Sequence, residues 1–389
     1  MKKKIAILGS TGSIGKSLIE IIKKDKKNFE TILLTADTNG NKLIKQAKLL
    51  NVKNLIITNK SSFENLIKKK SNKRFNIYND YQKFNKIFKN KVDYVMNSIS
   101  GINGLKPTLE IIKYTKSIAV ANKESIICGW NLINKRLKFN KTKFIPIDSE
   151  HFSINELIKH TDKKKIEKVY ITASGGPFLN YKLSSFKNIK IKNAIDHPTW
   201  QMGKKISIDS ATLINKVYEL IEAQKIFNLD YSKFHILIQP SSYVHSIIKF
   251  YGGILKVLIH NTSMTIPIFN SLYDTKKFES KFSTNINIEL FNNLNLQKVP
   301  IKKFPINKIL THLPKTDSLF ETVLVSANDT LVNLFLSKKI SFNDIHSYLN
   351  KILSLKEFQK YKSKKPKNLG EILLLNEYVR LKTESLSVV

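Results

Sequence analysis

The apolar run Lys4-Ile5-Ala6-Ile7-Leu8 breaks off into Gly9-Ser10-Thr11-Gly12-Ser13-Ile14-Gly15, and a helical pattern runs on from Lys16 to Lys24. A buried strand that ends in a glycine turn and restarts as a helix is the opening of a βαβ unit, which demands a parallel sheet. Glycines at this junction let the backbone turn sharply and approach a pyrophosphate, whose charge then rests on the helix N-terminus. The spacing is GxxGxxG rather than GxGxxG, and the same letters also serve an ordinary strand–helix turn. Their place at the first strand–helix junction decides for the nucleotide reading. Strand-like runs recur at 31–35, 54–58, 92–98, 117–120 and 144–147 with helical patterns between most of them. The first 150 or so residues therefore read as an α/β, Rossmann-like, doubly wound parallel sheet.

From 151 the pattern changes to α+β. Strands are expected at 168–173, 235–238, 244–250 and 254–259, with a hairpin through Tyr251-Gly252-Gly253 and a helix over 211–227. Residues 274–300 are polar and asparagine-rich, as a surface linker is. Helical patterns at 317–337, 341–354 (opened by Ser341) and 369–382 make an all-helical tail. The expected division is a dinucleotide-binding domain over 1–148, a central catalytic and dimerisation domain over 149–273, a linker over 274–300 and a C-terminal helical domain over 301–389.

The 66 basic against 30 acidic residues, a formal charge of +36, invite a nucleic-acid or membrane reading. Only Arg74, Arg136 and Arg380 are arginine, however, and phosphate and base readers lean on the guanidinium fork. Lysine, asparagine and isoleucine are enriched together along the whole chain, as an AT-rich genome produces. No nucleic acid is expected as a partner. A lone Cys128 excludes a disulfide framework and a multi-cysteine metal site. No apolar stretch reaches the ~18 residues of a membrane helix, and the run after Lys2-Lys3-Lys4 is too short for a signal peptide. A cytoplasmic protein without a membrane partner is the expectation.

Three further segments carry chemistry. Asp148-Ser149-Glu150 follows an apolar strand; positions i and i+2 of an extended chain share a face, so both carboxylates can serve one oxygen-preferring cation. A solvated strand end looks the same. On the helix expected from 211, capped by Asp209-Ser210, Asn215, Glu219 and Glu222 recur at i, i+4 and i+7 beside Lys216. Ser210, Asn215 and Lys216 can make a phosphate pocket, and Glu219 a third oxygen ligand; a solvated polar face is the plain alternative. Ser174-Gly175-Gly176-Pro177 closes a strand with donors for an anion or merely a tight turn. His197-Pro198-Thr199-Trp200-Gln201-Met202-Gly203 has the makeup of a lid, with Trp200 either covering substrate or anchoring a loop.

Together these segments resemble the 1-deoxy-D-xylulose 5-phosphate reductoisomerase family. The matching strings are GSTGSIG at 9–15, ANKES at 121–125, DSEH at 148–151, TASGGPF at 172–178, HPTWQMGKKISIDSATLINK at 197–216 with Glu219, and VHS at 244–246. The resemblance implies NADPH, a divalent metal (Mg²⁺, Mn²⁺ or Co²⁺), a sugar-phosphate substrate and a homodimer. It implies metal ligation by Asp148, Glu150 and Glu219, with Lys123 and Glu150 assisting proton movement. Ser149, Ser174, His197, Trp200, Ser210, Asn215, Lys216 and His245 are implied as substrate contacts. Gly9, Thr11, Gly12, Ser13, Ile14, Asn39, Asn122, Lys123, Glu124, Gly203 and Met264 are implied as cofactor contacts.

Departures from the family pattern stand at Ala36-Asp37-Thr38-Asn39, where a carboxylate suits an NAD-type ribose site and Lys42 is the nearby offsetting cation; at Gln239-Pro240-Ser241-Ser242; and at His260 to Thr265, where Met264 alone survives. In the tail, Ala327-Asn328-Asp329 replaces Ala-Asn-Glu. Rival readings are a semialdehyde dehydrogenase, which needs a thiolate that Cys128 does not offer in context, and a non-catalytic or reduced-activity relative retaining the fold.

Overall fold

The computed structural model describes residues 1–273 and 285–387, which fall into two compact units. The first comprises Met1–Ile126, Asn131–Asp148 and the segment that begins at Met264. Its sheet contains β1 (Lys3–Leu8), β2 (Phe29–Ala36), β3 (Asn54–Ile57), β4 (Asn76–Tyr78), β5 (Tyr94–Asn97), β6 (Ser117–Val120) and β7 (Lys143–Ile145). The order is β4-β3-β2-β1-β5-β6-β7 with every pairing parallel. Strand order reverses between β1 and β5, which is where such sheets bind ligands. The central strands are buried on both faces, so Ile5, Ile7, Leu33, Leu34, Val95 and Met96 are all without exposed surface. Helices α1 (Ser13–Lys24), α2 (Gly40–Leu50), α3 (Lys60–Ile67), α4 (Phe84–Ile87), α5 (Leu105–Ile111) and α6 (Lys123–Phe139) link the strands. α1 starts three residues earlier than the sequence suggests, because the glycine loop itself supplies its first turn.

The second unit comprises Ile127–Trp130, Ser149–Ser263 and the described residues from 285 onward. It opens with α7 (Ser149–Ile158) and builds a mixed sheet from β8 (Ile166–Ala173), β9 (Phe234–Ile238), β10 (Val244–Phe250) and β11 (Leu255–Ile259). Between β8 and β9 run α8 (Ile191–Ile195), α9 (Lys204–Ala211) and α10 (Ile214–Phe227). The β10–β11 hairpin turns at Gly252 and Gly253, whose φ values of 90° and 87° only glycine adopts readily. After α11 (Thr265–Leu272), which belongs to the first unit, come α12 (Ile288–Asn292) and β12 (Gln297–Lys298). Part of the 274–300 segment lies outside the described residues; within the rest, β12 pairs with β9 as the far edge of the sheet.

Helices α13 (Ile306–Leu310), α14 (Phe320–Leu336), α15 (Phe342–Leu353), α16 (Lys356–Gln359) and α17 (Leu369–Ser387) complete the second unit. α15 opens on a capping box, Ser341 and Asp344 each satisfying the other's backbone N–H. α14 is almost wholly buried between α15 and α17, with Phe320, Leu324, Leu331 and Val332 in its core. No helix of the described residues is long and apolar enough to cross a membrane.

Candidate active site

Asp148-Ser149-Glu150 is not an extended strand end: Ser149 begins α7, so Glu150 lies in its first turn and the i, i+2 argument fails. A carboxylate in a helix's first turn is favoured by the helix dipole, which explains the string without a strand. Nor do Asp209 and Ser210 cap the following helix. They lie inside α9, and the chain then turns through Leu213, held at φ 58°, before α10 starts. This corner sets Ser210 on one helix and Asn215 and Lys216 on the next. The polar residues of α10 are not solvated, since Lys216, Glu219 and Glu222 are all buried.

Glu150 and Glu219 grip one ammonium. Lys216 Nζ is bonded to Glu150 Oε1, and to Glu219 Oε2 at 2.6 Å. Burial works against the Lys216 charge, but the two carboxylates outweigh it and raise its pKa. Glu219 Oε1 accepts from Asn215 Nδ2 at 2.5 Å, and Glu150 Oε2 from Ser149 Oγ at 2.5 Å. His151 bonds the Glu219 carbonyl through Nε2 at 2.8 Å, fixing α7 to α10. Asp148 ends the first unit one residue before α7, and there Lys123 Nζ donates to its Oδ2 at 2.5 Å. One oxygen each of Asp148, Glu150 and Glu219 lies within 4.8 Å of the others, and this is the only such metal-ligand group among the described residues. The all-oxygen donor set suits Mg²⁺ or Mn²⁺, and the buried ammonium between two of the acids stands where a cation is wanted.

A second cluster adjoins Lys216 in charge. His197 Nε2 lies 3.0 Å from Ser174 Oγ and 3.1 Å from Ser210 Oγ. Its Nδ1 accepts from the backbone N–H groups of Thr199 and Trp200, which places the proton on Nε2. Burial, reinforced by the Lys216 charge, lowers His197 to about 4, so at neutral pH it is an uncharged donor between two hydroxyls. Gly176 has φ 67°, and its N–H donates to Ser174 Oγ. A side chain there would meet the Ser210 carbonyl at 3.0 Å, so β8's closing turn needs glycine. Trp200 sits edge-on to His245, ring centroids 6.2 Å apart. His245 in turn stacks on His260 at 3.6 Å, and burial first, then His260, lowers it to about 4. His260 was not anticipated; nothing in the string His260 to Thr265 signals a ring stack.

In the first unit the glycine loop leaves β1 through Gly9 at φ 76°. A side chain on Gly15 would strike the Gly9 carbonyl at 2.6 Å, whereas one on Gly12 would meet nothing closer than 3.4 Å. Gly15 is thus packing, and Gly12, Thr11, Ser13 and Ile14 form the open rim. Asn39 caps α2 through Oδ1. Asn122 caps α6, accepting from the Ser125 N–H at 2.6 Å while its amide donates to Ile99 and Gly101 carbonyls; Lys123 and Glu124 follow in the first turn. Met264 precedes α11 in the same unit. Gly203 caps α9 in the second unit, apart in the chain from the other nucleotide candidates. Of the departures, Gln239 is buried and its Oε1 accepts the Tyr243 N–H at 2.7 Å, bracing the turn into β10.

The parallel sheet and the three converging carboxylates make this a doubly wound α/β protein with a candidate cation site. Family models described as 1-deoxy-D-xylulose 5-phosphate reductoisomerase, and as that enzyme's C-terminal domains, match residues 5–129, 144–227 and 259–382. The chain belongs to the 1-deoxy-D-xylulose 5-phosphate reductoisomerase family. It is 58% identical to the reductoisomerase of Pelagibacter ubique, across 99% of this chain and all of that one. Its fold is similar to the Zymomonas mobilis reductoisomerase in complex with NADPH (TM-score 0.87, 28% identity, 100% and 99% of the two chains). It is also similar to a reductoisomerase in complex with NADPH, fosmidomycin and magnesium (TM-score 0.90, 29% identity, 98% of each chain).

Proposed function

We propose that the protein converts 1-deoxy-D-xylulose 5-phosphate to 2-C-methyl-D-erythritol 4-phosphate with NADPH and a divalent metal. The convergence of Asp148, Glu150 and Glu219 oxygens carries the reading, and the NADPH- and magnesium-bound relatives support it. A bound ion supplies Lewis acidity toward the substrate's ketone and adjacent hydroxyl, and the nicotinamide supplies hydride. The three carboxylates are the ligands in this reading, with Asn215 and Ser149 holding two of them in place.

Ser174, Ser210 and neutral His197 donate to the substrate phosphate, and Lys216, already between the clusters, adds charge. Gripping a phosphate remote from the reacting carbons lets binding energy draw the 197–203 segment over the substrate and exclude water. Trp200 and His245 then form an aromatic wall. Lys123, whose ammonium is hydrogen-bonded to Asp148, and Glu150 are the groups placed to hold or move a proton. The loop at Gly9, Thr11, Gly12, Ser13 and Ile14, with Asn39, Asn122, Lys123, Glu124, Gly203 and Met264, binds the dinucleotide.

The division at 148, 273 and 300 is proposed by role, while by packing α11 belongs with the first unit and the helical tail with the central sheet. A homodimer is proposed through the central sheet, whose edge strand β11 exposes Leu255 and Val257 beside exposed Ile254, and the cytoplasm is the proposed location. No observation favours a non-catalytic relative. Purified protein is expected to oxidise NADPH only when both the sugar phosphate and Mg²⁺ or Mn²⁺ are present. Absence of turnover with every such metal defeats the proposal.

A further inference from the structure

The residue after β2 poses a problem for the proposed cofactor. A carboxylate at that point of a doubly wound sheet bonds a ribose 2′-hydroxyl and repels a 2′-phosphate. Asp37 stands there, exposed. Its Oδ1 accepts a hydrogen bond from Thr58 Oγ1 at 2.7 Å, which draws the carboxylate toward the end of β3.

Lys42 lies in the first turn of α2, where its N–H binds the Asn39 cap at 3.2 Å. Its ammonium reaches back to the glycine loop and donates to the Thr11 carbonyl at 3.2 Å. Lys16, one turn into α1, lies beside it. The contact with Lys16, then partial burial, then repulsion between the charges lower Lys42 to about 8. Neither ammonium has a carboxylate within ion-pair reach among the described residues. Two like charges held together against a loop that binds pyrophosphate are costly alone and are relieved by an anion.

We propose that Lys42, seconded by Lys16, binds the 2′-phosphate of NADPH in this chain. Recognition thus comes from the glycine-loop side and from α2, and not from the position that follows β2. The inference rests on the proposed cofactor and names the residues that select it. A charged hydrogen bond to phosphate is worth about 10–100-fold in affinity.

The test is equilibrium binding of NADPH and NADH, followed by fluorescence titration without substrate. Lys42→Met is expected to weaken NADPH about 10–100-fold and to leave NADH within about twofold. Lys16→Met is expected to give a smaller loss of the same selectivity, and Asp37→Ala to weaken NADH while NADPH binds as well or better. Equal losses for both dinucleotides in Lys42→Met, or no loss for NADPH, overturn the assignment while leaving the enzyme's function standing. Wild-type protein that binds neither dinucleotide overturns the cofactor reading itself.

Discussion

Helix α10 buries two lysines against acids, and the two pairings teach different things. At its start Lys216 lies between Glu150 and Glu219; near its end Lys225 meets Asp317 at 2.5 Å and Glu321 at 2.8 Å. Both lysine pKa values are raised, burial being outweighed by the carboxylates in each case. The later cluster is closed. Burial pushes Glu321 up to about 7 against the pull of Lys225, and the Ser318 N–H donates to its other oxygen at 3.0 Å. The earlier cluster has a third acid, Asp148, converging on the same space. Three carboxylates within reach of one another, rather than the presence of a buried ion pair, single out the candidate cation site.

The contrast breaks most visibly at Lys225. Lys225→Met strands two acids and is expected to cost about 3–5 kcal/mol of stability, read by denaturant unfolding, with specific activity of the folded fraction retained. Adding Glu321→Leu is expected to return part of that loss, since it replaces the fully buried acid by an apolar side chain and leaves only the partly exposed Asp317 without its lysine. Glu219→Gln is expected to do the reverse, lowering kcat about 10²–10³-fold and abolishing Mn²⁺ binding with little change in melting temperature. A collapse in stability as large as that of Lys225→Met would make Glu219 a structural residue and erase the distinction.

Between these extremes stands His346, whose Nε2 bonds the Thr212 carbonyl at 3.0 Å while its buried Nδ1 has no partner among the described residues. Burial lowers it from 6.5 to about 4. Below pH 6.5 the unfolded chain takes up a proton that the folded one refuses. Stability is therefore full above that pH and is lost, by at most about 3 kcal/mol, as pH falls toward 4. His346→Gln should flatten that slope in urea titrations at pH 7, 5.5 and 4. The smallest effect belongs to Asn328→Ala. Asn328 Nδ2 donates to Asp209 Oδ1 at 2.8 Å, and Lys205 bridges Asp209 and Asp329 at 2.8 Å each. Loss of that one donor is expected to cost about 1–2 kcal/mol and to raise KM for the sugar phosphate more than it lowers kcat, because α9 carries Ser210.

What the letters disclosed, they disclosed through periodicity and punctuation. The buried strands β1, β5 and β6, the glycine loop and the Gly252-Gly253 hairpin all carry strong local signals, and each falls where expected. Strand β4, Asn76-Ile77-Tyr78, has no apolar run and exists because β3 offers it an edge. Helix α9 hides behind Ile206-Ser207-Ile208, an alternation that reads as strand; its Ile208 and Ala211 are buried in tertiary contacts that local propensity does not encode. The acids of 148–150 and the phosphate candidates of 210–216 were legible as residue types, but their geometry came from a helix start and a helix break that no spacing rule announces.

That break has a mechanical meaning. Leu213, 1% exposed, occupies a left-handed backbone conformation that costs a branched side chain about 1–2 kcal/mol, and only its surroundings hold it there. It works as a sprung corner bracket, its two arms being the helices that carry Ser210 on one side and Asn215 with Lys216 on the other. A glycine would sit there without strain, yet it would turn the bracket into a loose pin and let the angle between the arms wander.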